Sequence, residues 1–262
     1  MTIDRYGVMG YPVAHSRSPV IHRLFAQQTG QDLRYELLRV APEKLEEAVR
    51  QFQRTDGKGL NITVPHKRAV FRLVDHLSER ASAAGAVNTL TFRNNEIHGD
   101  NTDGIGLLRD LVVNLDLTLE GANILILGAG GATRGIVGPL LEMQPRNVCI
   151  ANRTLTRAKD LVERFASRGS VSASSFEAVP VAEPYDLVIN ATSAIHGGEM
   201  PPYPEAAISP ITFCYDLSYS LHPTPFCTWA LEHGAAHAVM GWGMLVEQAA
   251  ESFHIWRGVR PD

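Results

Sequence analysis

The chain has 262 residues, of which 45% are hydrophobic and 20% are charged, and its formal net charge at pH 7 is −4. Its mean hydropathy is −0.06. This composition is typical of a soluble globular protein, and the length allows one large or two modest domains. The negative charge argues against a nucleic-acid surface. We find no signal peptide and no apolar run long enough to cross a membrane, so we expect a cytoplasmic protein.

The part of the chain before residue 101 alternates strand-like and helix-like segments. The predicted strands cover 6–9, 35–40, 60–64 and 89–93, and the predicted helices cover 19–28, 42–54 and 67–76. Leu45, Val49 and Phe52 share one face of the second helix. Strands that alternate with helices imply an α/β layer with parallel strand pairing.

Polar side chains gather in clusters along this part of the chain. They are Ser16 and Ser18, then Asn61, Thr63 and Lys67, then Asn88, and finally Asp103 in the polar loop 99–104. Because side chains alternate along a strand, Asn61 and Thr63 point to one face. Hydroxyls and amides can bind a polyhydroxylated carboxylate, and a Lys/Asp pair can move a proton. A helix cap, a solvated lysine and a turn are the purely structural alternatives.

The segment from residue 123 to 157 carries the strongest motif. A short apolar strand, 124–127, runs directly into Gly128-Ala129-Gly130-Gly131-Ala132-Thr133, which a helix and a second strand at 148–151 follow. This order is typical of the first half of a dinucleotide-binding fold, although Thr133 occupies the place of the third glycine. The glycines allow the backbone to approach a pyrophosphate, and the helix N-terminus attracts its negative charge.

The tip of the second strand indicates which dinucleotide is bound. NAD sites place Asp or Glu there to hold the ribose 2′-hydroxyl. This chain has Asn152-Arg153-Thr154 instead, with Arg157 close behind. Guanidinium groups bind a 2′-phosphate, whereas a carboxylate would repel it. We therefore predict NADP as the cofactor.

The remaining pattern continues the α/β alternation. Strands are predicted at 186–190 and 213–217, and a helix is predicted at 243–256. No metal site is expected, because Gly234 separates His233 from His237 and no third ligand is near in sequence. The cysteines show neither disulfide nor metal spacing and are expected to be buried, reduced thiols. They are Cys149, Cys214 and Cys227.

Eight ordered motifs together resemble the shikimate dehydrogenase family. They are S-x-S-P, N-x-T-x-P-x-K, G-A-V-N-T, G-x-N-T-D-G, G-A-G-G-A, N-R-T, N-A-T-S and G-M-L-V-x-Q, and they extend over nearly the whole chain. The resemblance implies an N-terminal α/β substrate domain, formed by 1–101 and 238–262. It further implies a Rossmann-like NADP-binding domain at 102–237, a cleft between the two domains, and a hinge near the crossings between them.

The resemblance also implies roles for individual residues. The catalytic pair would be Lys67 and Asp103. Substrate would be held by Ser16, Ser18, Asn61, Thr63, Asn88, Tyr219 and Gln248. The cofactor would be held by Gly128, Ala129, Gly130, Gly131, Ala132, Asn152, Arg153, Thr154, Arg157, Thr192, Gly241 and Met244.

The activity implied by this resemblance is the NADP-dependent, reversible reduction of 3-dehydroshikimate to shikimate, a step towards chorismate and the aromatic amino acids. Hydride would pass between the nicotinamide and the C3 carbonyl carbon. Lys67 would supply the proton, and Asp103 would keep it charged and oriented. We expect a monomer or a homodimer with a small-molecule substrate and no nucleic-acid or membrane partner.

The chain departs from the family pattern just before the last predicted helix. Met240-Gly241-Trp242 stands where the family usually has Asp-Gly-Leu. Two alternatives therefore stay open at this point. One is a divergent enzyme that uses quinate or an aminoshikimate analogue, and the other is a non-catalytic sensor of NADP and a metabolite.

Overall fold

The computed structural model describes residues 3–192 and 201–262. Contacts within the chain divide it into two units. The first unit consists of Met1–Gly106 and Val246–Asp262, and the second consists of Leu107–Leu245. Each unit contains one six-stranded sheet. In the described parts of the chain, no helix combines the length and the apolar character that crossing a membrane requires.

The sheet of the first unit is mixed rather than parallel. Its strands are β1 (Asp4–Gly10), β2 (Leu33–Arg39), β3 (Gly57–Ile62), β4 (His76–Leu77), β5 (Thr89–Arg93) and β6 (Glu96–Asp100), in the order β2-β1-β3-β5-β6-β4. The expectation of parallel pairing holds for β1 with β2 and β3, but β5 pairs antiparallel with both β3 and β6. Asn94 and Asn95 have φ angles of 52° and 64° and form the tight turn between β5 and β6.

Among its described residues, the first unit contains three α-helices and part of the last one, and it also includes the start of α4 (Asp103–Leu108). The three are α1 (Ser18–Thr29), α2 (Leu45–Arg54) and α3 (Glu79–Ala84), and the last helix of the chain is Trp242–Arg257. Pro19 lies in the first turn of α1, and Gly30 ends it with a φ of 63°. Leu45, Val49 and Phe52 are buried on one face of α2, as predicted, and join the apolar core beneath the sheet.

Two predictions for the first unit are wrong. The segment 67–76 does not form a helix, because the Lys67 carbonyl accepts a hydrogen bond from the distant Val87 N–H and only a 3₁₀ turn, Val70–Leu73, forms. The segment 99–104 is not simply a loop. Strand β6 continues to Asp100, and helix α4 (Asp103–Leu108) starts at Asp103.

The sheet of the second unit is entirely parallel. Its strands are β7 (Asn123–Leu127), β8 (Asn147–Ala151), β9 (Val171–Ser174), β10 (Leu187–Asn190), β11 (Phe213–Asp216) and β12 (His237–Met240), in the order β12-β11-β10-β7-β8-β9. Its helices include a π-helical segment (Arg109–Asn114), α5 (Gly131–Glu142), α6 (Leu155–Phe165) and α7 (Pro225–Glu232), and α8 (Trp242–Arg257) begins there. The strand order reverses next to β7, which is where doubly wound sheets bind their ligands.

Apolar clusters fill the second unit and enclose its cysteines. Cys149, Cys214 and Cys227 are all buried and free of disulfide bonds, which confirms the expected buried thiols. Burial raises the pKa of each thiol, and that of Cys214 reaches about 12. These sulfurs are therefore poor nucleophiles at neutral pH.

A buried histidine lies in an aromatic cluster of the first unit. His22, on α1, is 0% exposed, and its ring stacks on Tyr35 with a centroid distance of 4.2 Å. Phe25 and Phe253 also contact this ring. Neither ring nitrogen has a hydrogen-bond partner among the described residues. Burial lowers the pKa of His22 to about 3, although the neighbouring Asn61 acts in the opposite direction.

This shift makes stability depend on pH. His22 stays neutral in the folded protein between pH 6.5 and about 3, while the unfolded chain takes up a proton there. We therefore expect its contribution to the free energy of unfolding to fall by up to about 1.4 kcal/mol for each pH unit below the ordinary histidine pKa. The His22→Phe variant should lack this dependence in urea unfolding measured across that pH range. His222→Phe, at an exposed site, should retain the wild-type slope; an equal slope in His22→Phe would contradict the assignment.

Candidate functional site

The structure brings Lys67 and Asp103 together in the first unit. Lys67 follows strand β3, Asp103 begins α4, and Lys67 Nζ lies 2.6 Å from Asp103 Oδ2. The Lys67 side chain is 15% exposed and the Asp103 side chain is 4% exposed. The charges therefore interact more strongly than a surface ion pair does, while the lysine keeps access to water. Such a pair can transfer a proton to or from a bound ligand.

Asn88 holds the second oxygen of the Asp103 carboxylate. Its Nδ2 donates to Asp103 Oδ1 at 2.8 Å and to Thr102 Oγ1 at 2.9 Å. Gln248 Oε1 lies 3.5 Å from the same nitrogen. Asn88 Oδ1 accepts a hydrogen bond from the Thr102 N–H at 2.8 Å. Four of the predicted site residues are thus parts of one network: Lys67, Asn88, Asp103 and Gln248.

Asn61 belongs to the same polar cluster and is itself enclosed. Its Oδ1 accepts a hydrogen bond from the Tyr35 hydroxyl at 2.7 Å. Its Nδ2 donates to Ser252 Oγ at 3.0 Å and to Thr89 Oγ1 at 3.3 Å. Asn61 is only 6% exposed. Both polar atoms of its side chain therefore have protein partners, which fixes its orientation.

Among the other predicted substrate residues of the first unit, Ser16, Thr63 and Gln248 are more accessible than Asn61. Ser16 and Ser18 are joined by a hydrogen bond of 3.1 Å between their hydroxyls, and Ser18 is the more buried of the two. Thr63 and Gln248 are both half-buried. The side chains of Ser16, Thr63 and Gln248, together with Lys67, are therefore able to contact a ligand.

Sequence reasoning missed four members of this cluster. They are Tyr35, Thr89, Thr102 and Ser252. The two threonines lie beside Asn88 and Asp103 within the recognised motifs, which is a local signal that could have found them. Ser252 follows Gln248 by four residues on α8 and so lies on the same face of that helix. Tyr35 has no local signal, since only the pairing of β1 with β2 and β3 brings it towards Asn61.

Tyr219 lies in the second unit, unlike the other predicted substrate residues. Its ring packs against Trp242, with a centroid distance of 4.7 Å. The Trp242 indole Nε1–H donates to the Ser220 carbonyl at 3.2 Å. The tryptophan that departs from the family pattern thus supports the segment that carries Tyr219.

The glycine-rich turn of the second unit has the geometry of a phosphate cradle. Its residues are Gly128, Ala129, Gly130, Gly131 and Ala132. Gly128 has a φ of 107°, and a Cβ there would lie 3.0 Å from the Ala191 carbonyl oxygen. Thr133 Oγ1 donates to the Gly128 carbonyl at 2.9 Å. A Cβ on Gly130 would meet nothing within 4 Å, so the space before the first turn of α5 is open, and a helix N-terminus at such a place favours an anion.

The tip of β8 presents positive charge. Asn152 follows the strand, and its Nδ2 donates to the Thr154 carbonyl at 2.8 Å. Thr154 is the N-cap residue of α6, whereas Arg153 and Arg157 are exposed. No carboxylate occurs between residues 152 and 157. This set fits a ribose that carries a 2′-phosphate.

Thr192 lies at the end of β10 beside a buried network. Its N–H and hydroxyl both donate to Asn190 Oδ1, at 3.1 Å and 2.8 Å. Asn190 Nδ2 in turn donates to Asp216 Oδ1 at 3.1 Å. Burial raises the pKa of Asp216, although the hydrogen bonds that it accepts, the strongest from Thr224, act in the opposite direction. The network fixes the end of β10 relative to β11.

Gly241 and Met244 lie at the junction between β12 and α8. A Cβ on Gly241 would lie 2.8 Å from the Leu217 carbonyl oxygen, so a larger residue does not fit there without a shift. Met244 is 8% exposed and belongs to the apolar core of the second unit. Its N–H donates to the Tyr215 hydroxyl at 3.3 Å.

Comparison with known proteins identifies the family. Residues 8–90 match the shikimate dehydrogenase substrate binding domain, 111–197 match shikimate / quinate 5-dehydrogenase, and 241–262 match the shikimate 5'-dehydrogenase C-terminal domain. Shikimate dehydrogenase (NADP(+)) of Alkalilimnicola ehrlichii is 56% identical over 259 residues, which are 99% of this chain and 95% of that protein. The chain belongs to the shikimate dehydrogenase family.

Solved structures agree with this assignment. An Ael1 enzyme from Pseudomonas putida is 44% identical with a TM-score of 0.90, and the match covers 99% of this chain and 95% of that one. Shikimate 5-dehydrogenase from Thermus thermophilus, in complex with NADP(H) and shikimate, is 31% identical with a TM-score of 0.87 and the same coverages, 99% and 95%. The predicted α/β class, with a substrate domain and a Rossmann-like domain, is confirmed.

The contact between Tyr35 and Asn61 makes a testable contribution to stability. Tyr35→Phe leaves the buried Asn61 Oδ1 without its donor, and we expect the free energy of unfolding to fall by about 1–3 kcal/mol. Urea unfolding measures this loss. Tyr11→Phe is the matched control, because Tyr11 is 40% exposed and its change should stay within about 0.5 kcal/mol. Equal stabilities of the two variants would show that the Tyr35 hydroxyl is not needed.

Proposed function

We propose that this chain catalyses the reversible, NADP-dependent reduction of 3-dehydroshikimate to shikimate. The observation that carries the proposal is the Lys67–Asp103 pair, 2.6 Å apart and held by Asn88 in a polar cluster. Relatives named shikimate dehydrogenase (NADP(+)) match 99% of the chain at identities up to 56%, which supports the same activity here.

The second unit is proposed to bind NADP. The turn that starts at Gly128 and the N-terminus of α5 would hold the pyrophosphate. Arg153 and Arg157 would hold the 2′-phosphate, and Thr192, Gly241 and Met244 are proposed to face the remainder of the cofactor. When bound, NADP supplies a hydride donor or acceptor at nicotinamide C4.

Lys67 is proposed to move the proton at the C3 oxygen of the substrate. In the direction of reduction, its ammonium group gives a proton to this oxygen as the carbonyl becomes a hydroxyl. Asp103 orients the ammonium group through the contact at 2.6 Å. Because the Lys67 side chain is 15% exposed, water can restore the proton afterwards.

The first unit is proposed to bind the carboxylate and ring hydroxyls. Ser16, Thr63 and Gln248 are half-buried and able to donate hydrogen bonds to them. Ser18, Asn61 and Asn88 are buried by comparison, so we assign them mainly to positioning their neighbours. Tyr219, which belongs to the second unit, is proposed as a further substrate-binding residue.

The proposal includes a cytoplasmic enzyme that acts as a monomer or homodimer, with its two domains divided near residues 102 and 237. Composition supports the location, and motif order supports the division into domains. Light scattering of the purified protein would measure the number of chains in the particle.

Substitution of the catalytic pair tests the mechanism. We expect Lys67→Ala and Asp103→Asn each to lower kcat for shikimate oxidation by about 100-fold or more, because the first removes the proton carrier and the second removes the carboxylate that orients it. Absorbance of NADPH follows the reaction. Lys44→Ala, which removes an exposed ion pair with Glu47, should leave the rate unchanged. Wild-type turnover by both site variants would refute the assigned roles.

The same assay separates the open alternatives. Rapid reduction of NADP by shikimate supports the biosynthetic reaction and makes Met240 and Trp242 tolerated changes. Faster turnover of quinate or an aminoshikimate analogue would indicate a divergent enzyme. Binding of NADP without turnover of any of these compounds would indicate a sensor.

Arg153 and Arg157 provide a test of cofactor choice. We expect Arg153→Ala and Arg157→Ala to lower kcat/KM for NADP by roughly tenfold or more, since hydrogen bonds to charged groups contribute about 1.5–3 kcal/mol. The value for NAD should change little, because NAD has no 2′-phosphate. Arg164→Ala is the control, because Arg164 lies in the last turn of α6, the helix whose first turn contains Arg157. A parallel loss with NAD and NADP would contradict the proposed role.

A further inference from the structure

Three potential metal ligands meet at one edge of the first sheet. Strand β4 is the edge strand, and it pairs in parallel with β6 so that His76 lies opposite His98. Glu96 comes two residues before His98 on β6, so the two side chains point to the same face. This face is open to solvent, whereas Ile97 between them is 0% exposed and points to the core.

The ligand atoms are already close to one another. His76 Nε2 lies 3.3 Å from Glu96 Oε2, and His98 Nε2 lies 3.8 Å from the same oxygen. One ligand atom from each residue fits within a mutual distance of 4.8 Å. Ligands at about 2.0–2.2 Å from a tetrahedral zinc ion are separated by roughly 3.3–3.6 Å. His76 and Glu96 are exposed and His98 is half-buried, so small side-chain rotations are enough to reach coordination distances.

We propose that His76, Glu96 and His98 form a binding site for a divalent transition-metal ion of the zinc, nickel and copper class. Two imidazoles and one carboxylate suit these ions. A calcium or magnesium site would instead require mainly oxygen ligands. Three protein ligands leave at least one coordination position for water.

The nearby carboxylate of Asp100 is not expected to be a fourth protein ligand. Asp100 shares the exposed face of β6, two residues beyond His98. Its carboxylate already accepts hydrogen bonds from the Ser78 hydroxyl and the Arg80 guanidinium, both at 2.6 Å. Asp100 is therefore engaged elsewhere.

Metal binding would stabilise the pairing of the very short strand β4 with β6. Strand β4 contains only two residues, and one of them is a proposed ligand. An ion that binds the folded chain alone stabilises it according to its concentration and dissociation constant. None of the three ligands belongs to the Lys67–Asp103 network, so this site is independent of the proposed function.

Calorimetric titration of untagged, chelator-treated protein with Zn²⁺ and Ni²⁺ tests the site. We expect one saturable ion per chain and a rise in Tm with added metal. His76→Ala, His98→Ala and Glu96→Gln should each raise the dissociation constant roughly tenfold or more. With Cu²⁺, electron paramagnetic resonance should show hyperfine coupling to two imidazole nitrogens in the wild type and to one in His76→Ala.

His254→Ala is the matched control, since His254 is an exposed histidine on α8. It should bind metal as the wild type does. Absence of saturable binding by the wild type would overturn the proposal, as would unchanged affinity in His76→Ala and His98→Ala. Glu96→Gln keeps the shape of the side chain, so it decides the question if a histidine variant fails to fold. Thermal unfolding without metal identifies such a failure.

Discussion

The side chain of Asn88 is the contact on which the polar cluster of the first unit depends. It is 2% exposed and donates to Asp103, while the Asn88 backbone bonds the Asp100 carbonyl and the Ile62 N–H. One residue thus joins the ends of β3, β5 and β6 to the start of α4. A buried amide that loses a partner costs about 1–3 kcal/mol, so the network is stable only when it is complete. The complete set of hydrogen bonds fixes the carboxylate of Asp103, and this carboxylate in turn fixes the ammonium group of Lys67.

In the second unit, backbone geometry rather than a side-chain network fixes the candidate site. Gly128 needs a positive φ and a close approach to the Ala191 carbonyl, and both requirements exclude a larger side chain. Thr133 replaces the third glycine of the dinucleotide motif without losing the turn, because its buried hydroxyl donates to the Gly128 carbonyl. The departure from the motif is therefore compensated within the turn itself. The N-terminus of α5 follows this turn, and its positive dipole end favours negative charge there.

Local patterns predicted the elements whose structure is locally determined. The apolar runs before Gly128 and Asn152 are strands, and the apolar face of α2 is buried, as their periodicity indicates. The helix predicted over 67–76 failed because a hydrogen bond to Val87, 20 residues beyond Lys67, overrides local preference. Strand β6 was not predicted, although Asn94-Asn95 is a local hairpin signal because asparagine tolerates the positive φ of such turns. Tyr35 and the group formed by His76, Glu96 and His98 depend on strand pairing, which no local pattern specifies.

The cluster in the first unit separates side chains that can contact a ligand from side chains that hold them. Asn61 and Asn88 are buried, and protein groups already occupy their hydrogen-bonding atoms. A substrate that displaced these hydrogen bonds would gain little binding free energy, since one hydrogen bond would only replace another. Ser16 and Lys67 are partly exposed, so a substrate there replaces water instead. Accessible groups on a fully paired support stay in place before any ligand arrives, and such preorganisation is what the proposed proton transfer by Lys67 requires.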